Sequence, residues 1–255
     1  TLNFLSQEIE DLRVEPPVVE IIDLKGLSFD EIEDLRVEAD SLLEKGNLEE
    51  AESFYDEALE FYKEAMTTYQ KIGDLKGLVE TLQKIAVVFQ GQGNFEEALQ
   101  KLEQAFQIAE THGFKSIKAT IYTSLGEVYY SKSYYPKALE LYQKALDINQ
   151  SLNDRFLESR IFENLGIVYS SLQEKEKAIS FFEQTVIIAR ECGNKRREGI
   201  NLGNLGGIYA NIAQYEEALN YYKQAIEITR DIGDKRRESI NLGNLGHIYL
   251  FLGQN

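Results

Sequence analysis

A chain of 255 residues, 43% apolar and 27% charged, with one cysteine and a formal net charge of −16, excludes several classes of protein at once. The lone Cys192 leaves no disulfide framework and no paired-cysteine metal site, which fits a reducing compartment, and we expect the cytoplasm. No apolar run approaches the roughly 18 residues of a membrane span, no charged start leads into an apolar signal segment, and the charge is of the wrong sign for phosphate binding, so membrane and nucleic acid are not expected partners. The acidity is uneven, with 20 acidic and 6 basic side chains in residues 1–72 against 23 and 21 in the remainder.

In chain order, Leu5, Ile9 and Leu12 fall at helical spacing over residues 2–14, and Pro16-Pro17 ends that helix by removing backbone donors and restricting the preceding residue. Val18–Leu24 reads equally as an extended segment or one helical turn. The octamer at residues 8–15 recurs at 31–38, as a duplication or as two similar acidic amphipathic helices would give. Ser28 and Glu31 form a capping box, so a helix is predicted from about residue 29. Lys45–Ala51 matches Gln92–Ala98, which places a first turn at Gly46-Asn47. It also predicts a long following helix to about residue 71, roughly 36 Å at 1.5 Å per residue. Helix ends then fall at Gly73-Asp74, Gly113-Phe114, Asn153-Asp154, Gly193-Asn194 and Gly233-Asp234, each forty residues after the last, where Gly or Asn supplies the left-handed residue.

That period organises the chain. Glu198–Tyr209 returns at Glu238–Tyr249, and Leu-Gly-x-x-Tyr recurs at 125–129, 165–169 and 205–209, with Ile85-Ala86-x-x-Phe89 as a degenerate first copy. Downstream come Ala98, Ala138, Ala178 and Ala218, then Leu102, Tyr142, Phe182 or Tyr222, then Ala105, Ala145, Thr185 or Ala225. This order resembles the tetratricopeptide repeat, a helix-turn-helix unit that stacks into a solenoid. The forty-residue length is similar to that of the Pins/LGN adaptors and many bacterial repeat proteins, which bind extended peptides along a concave groove. The resemblance implies an all-α, right-handed superhelical tetratricopeptide solenoid. We expect an acidic segment with a short helix at 1–28, five repeats and the first helix of a sixth over 29–252, and a truncated end at 253–255 of a longer protein. Gly126, Gly166, Gly206 and Gly246 each cost about 1 kcal/mol inside a helix, which a close crossing of the two helices of a hairpin would offset.

Catalysis finds little support. His112 and His247 are three repeats apart, His112 sits at a helix end, and Gly203–Gly207 has neither glycine order of a phosphate loop and lies within a helix. The abundant carboxylates read as solvated faces. No cofactor, no metal and no enzymatic activity are expected.

The residues before each Leu-Gly are Ser124, Asn164, Asn204 and Asn244, with Lys84 in the first copy. The resemblance places them on the concave surface, where an Asn amide donates to and accepts from a peptide backbone at once. Gly203, Gly207 and Gly243 flank them and leave room for a backbone. Arg160, Arg197 and Arg237 lie one or two turns upstream, with Arg196 and Arg236 at the edge. Arginine there suits a carboxylate, whereas cations beside Glu198 and Glu238 also make plain surface ion pairs. Tyr130 and His247 complete the expected peptide-binding set. The expected function is a non-enzymatic scaffold binding an extended, acidic peptide. The alternatives are a self-assembly element whose groove takes an acidic segment of its own or a neighbouring chain, and the regulatory arm of an enzyme. Apolar Ile248, Leu250, Phe251 and Leu252 on the last helix add a possible route to homo-oligomers.

Overall fold

The computed structural model describes residues 27–51 and 54–253, so the expected helix at 2–14, its Pro16-Pro17 stop and the segment 18–24 lie outside the described residues. Every element among the described residues is an α-helix. In order they are α1 (Phe29–Ala51), α2 (Tyr55–Ile72), α3 (Leu75–Gly91), α4 (Phe95–Thr111), α5 (Lys115–Ser131), α6 (Tyr135–Leu152), α7 (Arg155–Ser171), α8 (Lys175–Glu191), α9 (Lys195–Asn211), α10 (Tyr215–Asp231) and α11 (Lys235–Phe251). Odd-numbered helices open a repeat and even-numbered ones close it; we call them A and B helices. The chain divides into two compact units, residues 1–132 and 133–255.

Local chemistry sets the ends. The Ser28 backbone N–H donates to Glu31 Oε2 at 2.7 Å while Glu31 N–H donates to Ser28 Oγ at 3.2 Å, the reciprocal pair that starts α1. Gly73, Gly113, Asn153, Gly193 and Gly233 all have positive φ, and the residue that follows caps the next helix at four of them. Asp74, Asp154, Asn194 and Asp234 accept from first-turn N–H groups of α3, α7, α9 and α11. The turns inside the repeats also need a left-handed residue, supplied by Gly93 and then by Ser133, Gln173 and Ala213.

The first repeat corrects the expected register. Helix α1 runs unbroken through Gly46-Asn47 to Ala51, and the next helix begins at Tyr55, so neither the turn at Gly46-Asn47 nor a helix from there to residue 71 exists. Gly46 is instead buried against Tyr62 of α2, where a β-carbon would lie 2.4 Å from the ring. The Tyr62 hydroxyl donates to Asn47 Oδ1 at 3.0 Å and Glu50 Oε2 at 2.7 Å. Gly46 thus stands forty residues before Ala86, and Ala58, not Ala51, begins the series Ala98, Ala138, Ala178, Ala218. All five of these alanines are fully buried. Helix α1 differs from the 17-residue A helix α3 by an N-terminal extension, giving it 23 residues.

The same contact recurs in unit 2. A β-carbon at Gly166 of α7 would meet the Phe182 ring of α8 at 2.6 Å, and one at Gly206 of α9 would meet the Tyr222 ring of α10 at 2.9 Å. The expected close crossing of A and B helices is present at Gly166 and Gly206 and accounts for glycine there, whereas a β-carbon at Gly246 would meet nothing within 4 Å. Phe182, Val186, Leu202, Leu205 and Ala225 form the core where α8, α9 and α10 meet. In unit 1 the core runs through Leu43, Tyr62, Tyr69, Leu82, Leu102 and Ile121.

Candidate functional site

In unit 2 the A helices lie side by side. Arg197 of α9 donates from Nε to Glu163 Oε2 of α7 at 2.8 Å, and Asn241 of α11 packs so tightly on Gly203 of α9 that a β-carbon there would sit 2.8 Å from Asn241 Oδ1. Each candidate asparagine precedes by two residues the glycine of its Leu-Gly pair. Two residues are about 200° of helical rotation, so Asn204 is turned away from α10, on which Gly206 packs. Asn164, Asn204 and Asn244 hold this phase on three neighbouring helices.

Their surroundings differ in one chemically decisive way. The Tyr222 ring lies under Gly206 and its hydroxyl passes Gly207, 3.5 Å from where a β-carbon would stand. There it lies within electrostatic reach of the Asn244 amide. Burial raises the phenol's pKa, and the Asn244 contact opposes that only in part. The residue forty positions before Tyr222 is Phe182, which has no hydroxyl. Asn204, forty positions before Asn244, is half-buried and makes no hydrogen bond among the described residues. Its donors and acceptor remain available on the face opposite α10. Asn164 already has a partner within the chain.

The glycines and arginines need correction. Gly203 does not leave open space, because Asn241 fills it, whereas a β-carbon at Gly243 would meet nothing within 4 Å. Arg197 is not a free receptor for a ligand carboxylate: its side chain is 16% exposed, it is paired with the equally buried Glu163, and its guanidinium lies 4.9 Å from the centre of the Phe156 ring. Arg237 donates to Asp234 Oδ2 at 2.7 Å at the start of α11. Arg160, half-buried on α7, also interacts within the chain. The basic side chains left exposed at the openings of α9 and α11 are Lys195, Arg196, Lys235 and Arg236, of which the two lysines bond Glu198 and Glu238. His247 is exposed one turn beyond Asn244. Ser124 and Tyr130 belong to α5 of unit 1, the first buried and the second half-buried.

Two asparagines escaped the sequence reading. Asn201 and Asn241 are buried on α9 and α11 where α5 and α7 carry Ile121 and Ile161. The Asn201 amide donates to the Arg197 carbonyl at 2.9 Å, and its Oδ1 is buried without a partner. The signal was the replacement of isoleucine by asparagine at one phase of the period.

Glu198 and Glu238 are more than surface ion-pair members. Glu198 is 4% exposed and accepts from Arg190 at 2.6 Å and Lys195 at 2.9 Å, joining the end of α8 to the start of α9. Glu238 repeats this with Arg230 and Lys235. Burial pushes the Glu198 pKa up, but the bonds from Arg190 and Lys195 outweigh it and hold the group below its ordinary 4.5. A depressed folded-state pKa gives stability that is complete above the unfolded value and lost as pH falls through the folded one. Glu198→Gln is therefore expected to lower the urea midpoint at pH 7, with the gap to wild type closing below about pH 4. A gap that is constant with pH would show that the ion pair contributes nothing.

Among the described residues no group of three or more His, Cys, Asp or Glu could hold a metal ion, and no helix is long and apolar enough to cross a membrane. His112 caps α4, its Nδ1 lying 3.0 Å from the Ile108 carbonyl.

The tetratricopeptide repeat family model matches residues 37–111, 118–191 and 198–255. The chain belongs to the tetratricopeptide repeat family, and its fold is an all-α solenoid of that class. Among solved structures it resembles the Rap conjugation gene regulator of plasmid pLS20 in complex with the Phr* peptide, at TM-score 0.73 and 18% identity, covering 90% of this chain and 67% of that one. It also resembles a signal transduction ATPase with a tetratricopeptide repeat sensor, PH0952 from Pyrococcus horikoshii, at TM-score 0.69 and 21% identity, covering 87% of this chain and 34% of that one. A third likeness is to BtubC from P. vanneervenii, at TM-score 0.65 and 20% identity, with 84% and 88% covered. At these identities the likeness is one of fold. No curated protein matches the sequence.

Proposed function

We infer that this chain is a non-enzymatic interaction scaffold that binds an extended, acidic peptide along the A helices of unit 2. The observation that carries the reading is Asn204, an amide without a partner among the described residues, turned away from its B helix and flanked by two neighbours in the same phase. An amide so placed bonds a peptide backbone through both its N–H and its C=O. The acidic preference rests on Arg196 and Arg236, exposed at the starts of successive A helices, since Arg197 and Arg237 have carboxylates of their own. The pLS20 regulator, solved with a peptide, supports a peptide as the occupant.

The test is selection from a randomised peptide display library on the chain, repeated with Asn204→Ala and with Arg196→Ala/Arg236→Ala. Peptides whose capture depends on Asn204 are expected to be rich in Asp and Glu, and the arginine variant should weaken them and flatten their salt dependence. Asn204-dependent peptides with no acidic bias would overturn the specificity, and none at all would overturn the site.

Helix α11 favours a second reading, self-association. Leu250 and Phe251 are 68% and 82% exposed on it and Ile240 is 54% exposed, whereas Ile248 of the expected set is buried. Sedimentation should then show concentration-dependent association that Leu250→Lys/Phe251→Lys removes.

A further inference from the structure

Unit 1 has an open surface cleft of about 410 Å³, lined by Glu50 of α1, Tyr55 of α2, Val87, Gln90 and Gly91 of α3 and Ser131 of α5. It exists because position 91 has no side chain. A β-carbon there would lie 2.9 Å from the Tyr55 hydroxyl, and the later A helices carry Ser131, Ser171, Asn211 and Phe251 at the same phase.

The polar groups of this cleft are unbalanced. Gln90 Nε2 donates to Ser131 Oγ at 2.8 Å and to the Glu127 carbonyl at 3.2 Å, and the Ser131 hydroxyl donates to that same carbonyl at 3.1 Å. Glu50 Oε2 accepts from Tyr62 at 2.7 Å. Those donors are spent, while Glu50 Oε1 and Gln90 Oε1 are acceptors for which the described residues supply none. The Tyr55 hydroxyl can act either way, and no Lys, Arg or His lines the cleft among the described residues. Residues 27–132 carry 21 acidic and 10 basic side chains, so the surrounding field favours cations.

We propose that this cleft receives the arginine or lysine side chain of a basic peptide partner. The aliphatic stem packs on Val87, the cationic head donates to Glu50 Oε1 and Gln90 Oε1, and the Tyr55 ring lies alongside the charge. This site stands on its own observations in unit 1, and it survives or fails independently of Asn204.

The experiment titrates acetyl-Gly-Arg-Gly-amide, and the same peptide with neutral citrulline in place of arginine, into ¹⁵N-labelled chain. The arginine peptide is expected to shift the amide resonances of Glu50, Gln90, Gly91 and Ser131, and the citrulline peptide is not. Glu50→Gln removes the charge but keeps an acceptor for Tyr62, and should weaken the arginine peptide by about tenfold or more. Gly91→Ser, which gives α3 the residue α5 carries at this phase, should block the cleft without altering charge. Equal response to both peptides, no response at these four residues, or unchanged affinity in either variant with the melting temperature intact would overturn the proposal.

Discussion

Gly46→Val is expected to destabilise the first repeat by about 3 kcal/mol or more, because the new side chain enters the space of a ring that cannot withdraw. Tyr62 is fully buried, a β-carbon at residue 46 would stand 2.4 Å from it, and its hydroxyl is held by Asn47 and Glu50. Thermal unfolding followed by circular dichroism should show a midpoint lowered by roughly 6–12 °C. Gly93→Val is the control for position: Gly93 has a φ of +80° with nothing within 4 Å of a β-carbon, so backbone strain alone acts there. A Gly46→Val melt close to wild type would restore the turn at Gly46-Asn47.

The second large effect lies in unit 2. Phe182→Ala should cost about 3–5 kcal/mol, since the ring is 2% exposed and fills the space under Gly166. Because repeat stability is a sum of units and their interfaces, the loss should appear as early melting of the α7–α10 region. Hydrogen exchange measured by residue reads this directly. Protection should fall around Leu165, Val186 and Leu202 while that around Leu82 and Leu102 is retained. Uniform loss of protection throughout the chain would contradict the division of the core.

Most of the architecture could be read from the sequence because the signals were local. Gly73, Gly113, Asn153, Gly193 and Gly233 each take the left-handed conformation their residue type favours, and the alanine and glycine contacts recur at one phase. The misplaced first turn shows where local reading fails. A Gly-Asn-x-Glu-Glu-Ala string occurs at 46–51 and at 93–98, yet Gly93 is a left-handed turn residue and Gly46 sits within a helix. What separates them is Tyr62, a partner 16 residues away, and the forty-residue series of Ala58, Tyr62 and Ala65 already carried that information.

The candidate site was legible in phase and not in pairing. The recurring asparagines were visible, but Arg197 finds Glu163 across 34 residues and Asn241 fills the space beside Gly203. No local pattern announces such contacts. The difference between Asn204 and Asn244 depends on whether residue 182 or 222 bears a hydroxyl, a comparison that gains meaning only once the B-helix ring is known to reach the next A helix.

That difference gives the most direct test of peptide binding by unit 2. Calorimetric titration of an acidic peptide selected on the chain should show affinity lowered about 2- to 10-fold by Asn204→Ala, the loss of one net hydrogen bond. Asn244→Ala should do less, because its amide already faces the Tyr222 hydroxyl. Equal affinity for wild type and Asn204→Ala, with melting temperatures unchanged, would contradict the account and move the binding surface off this face.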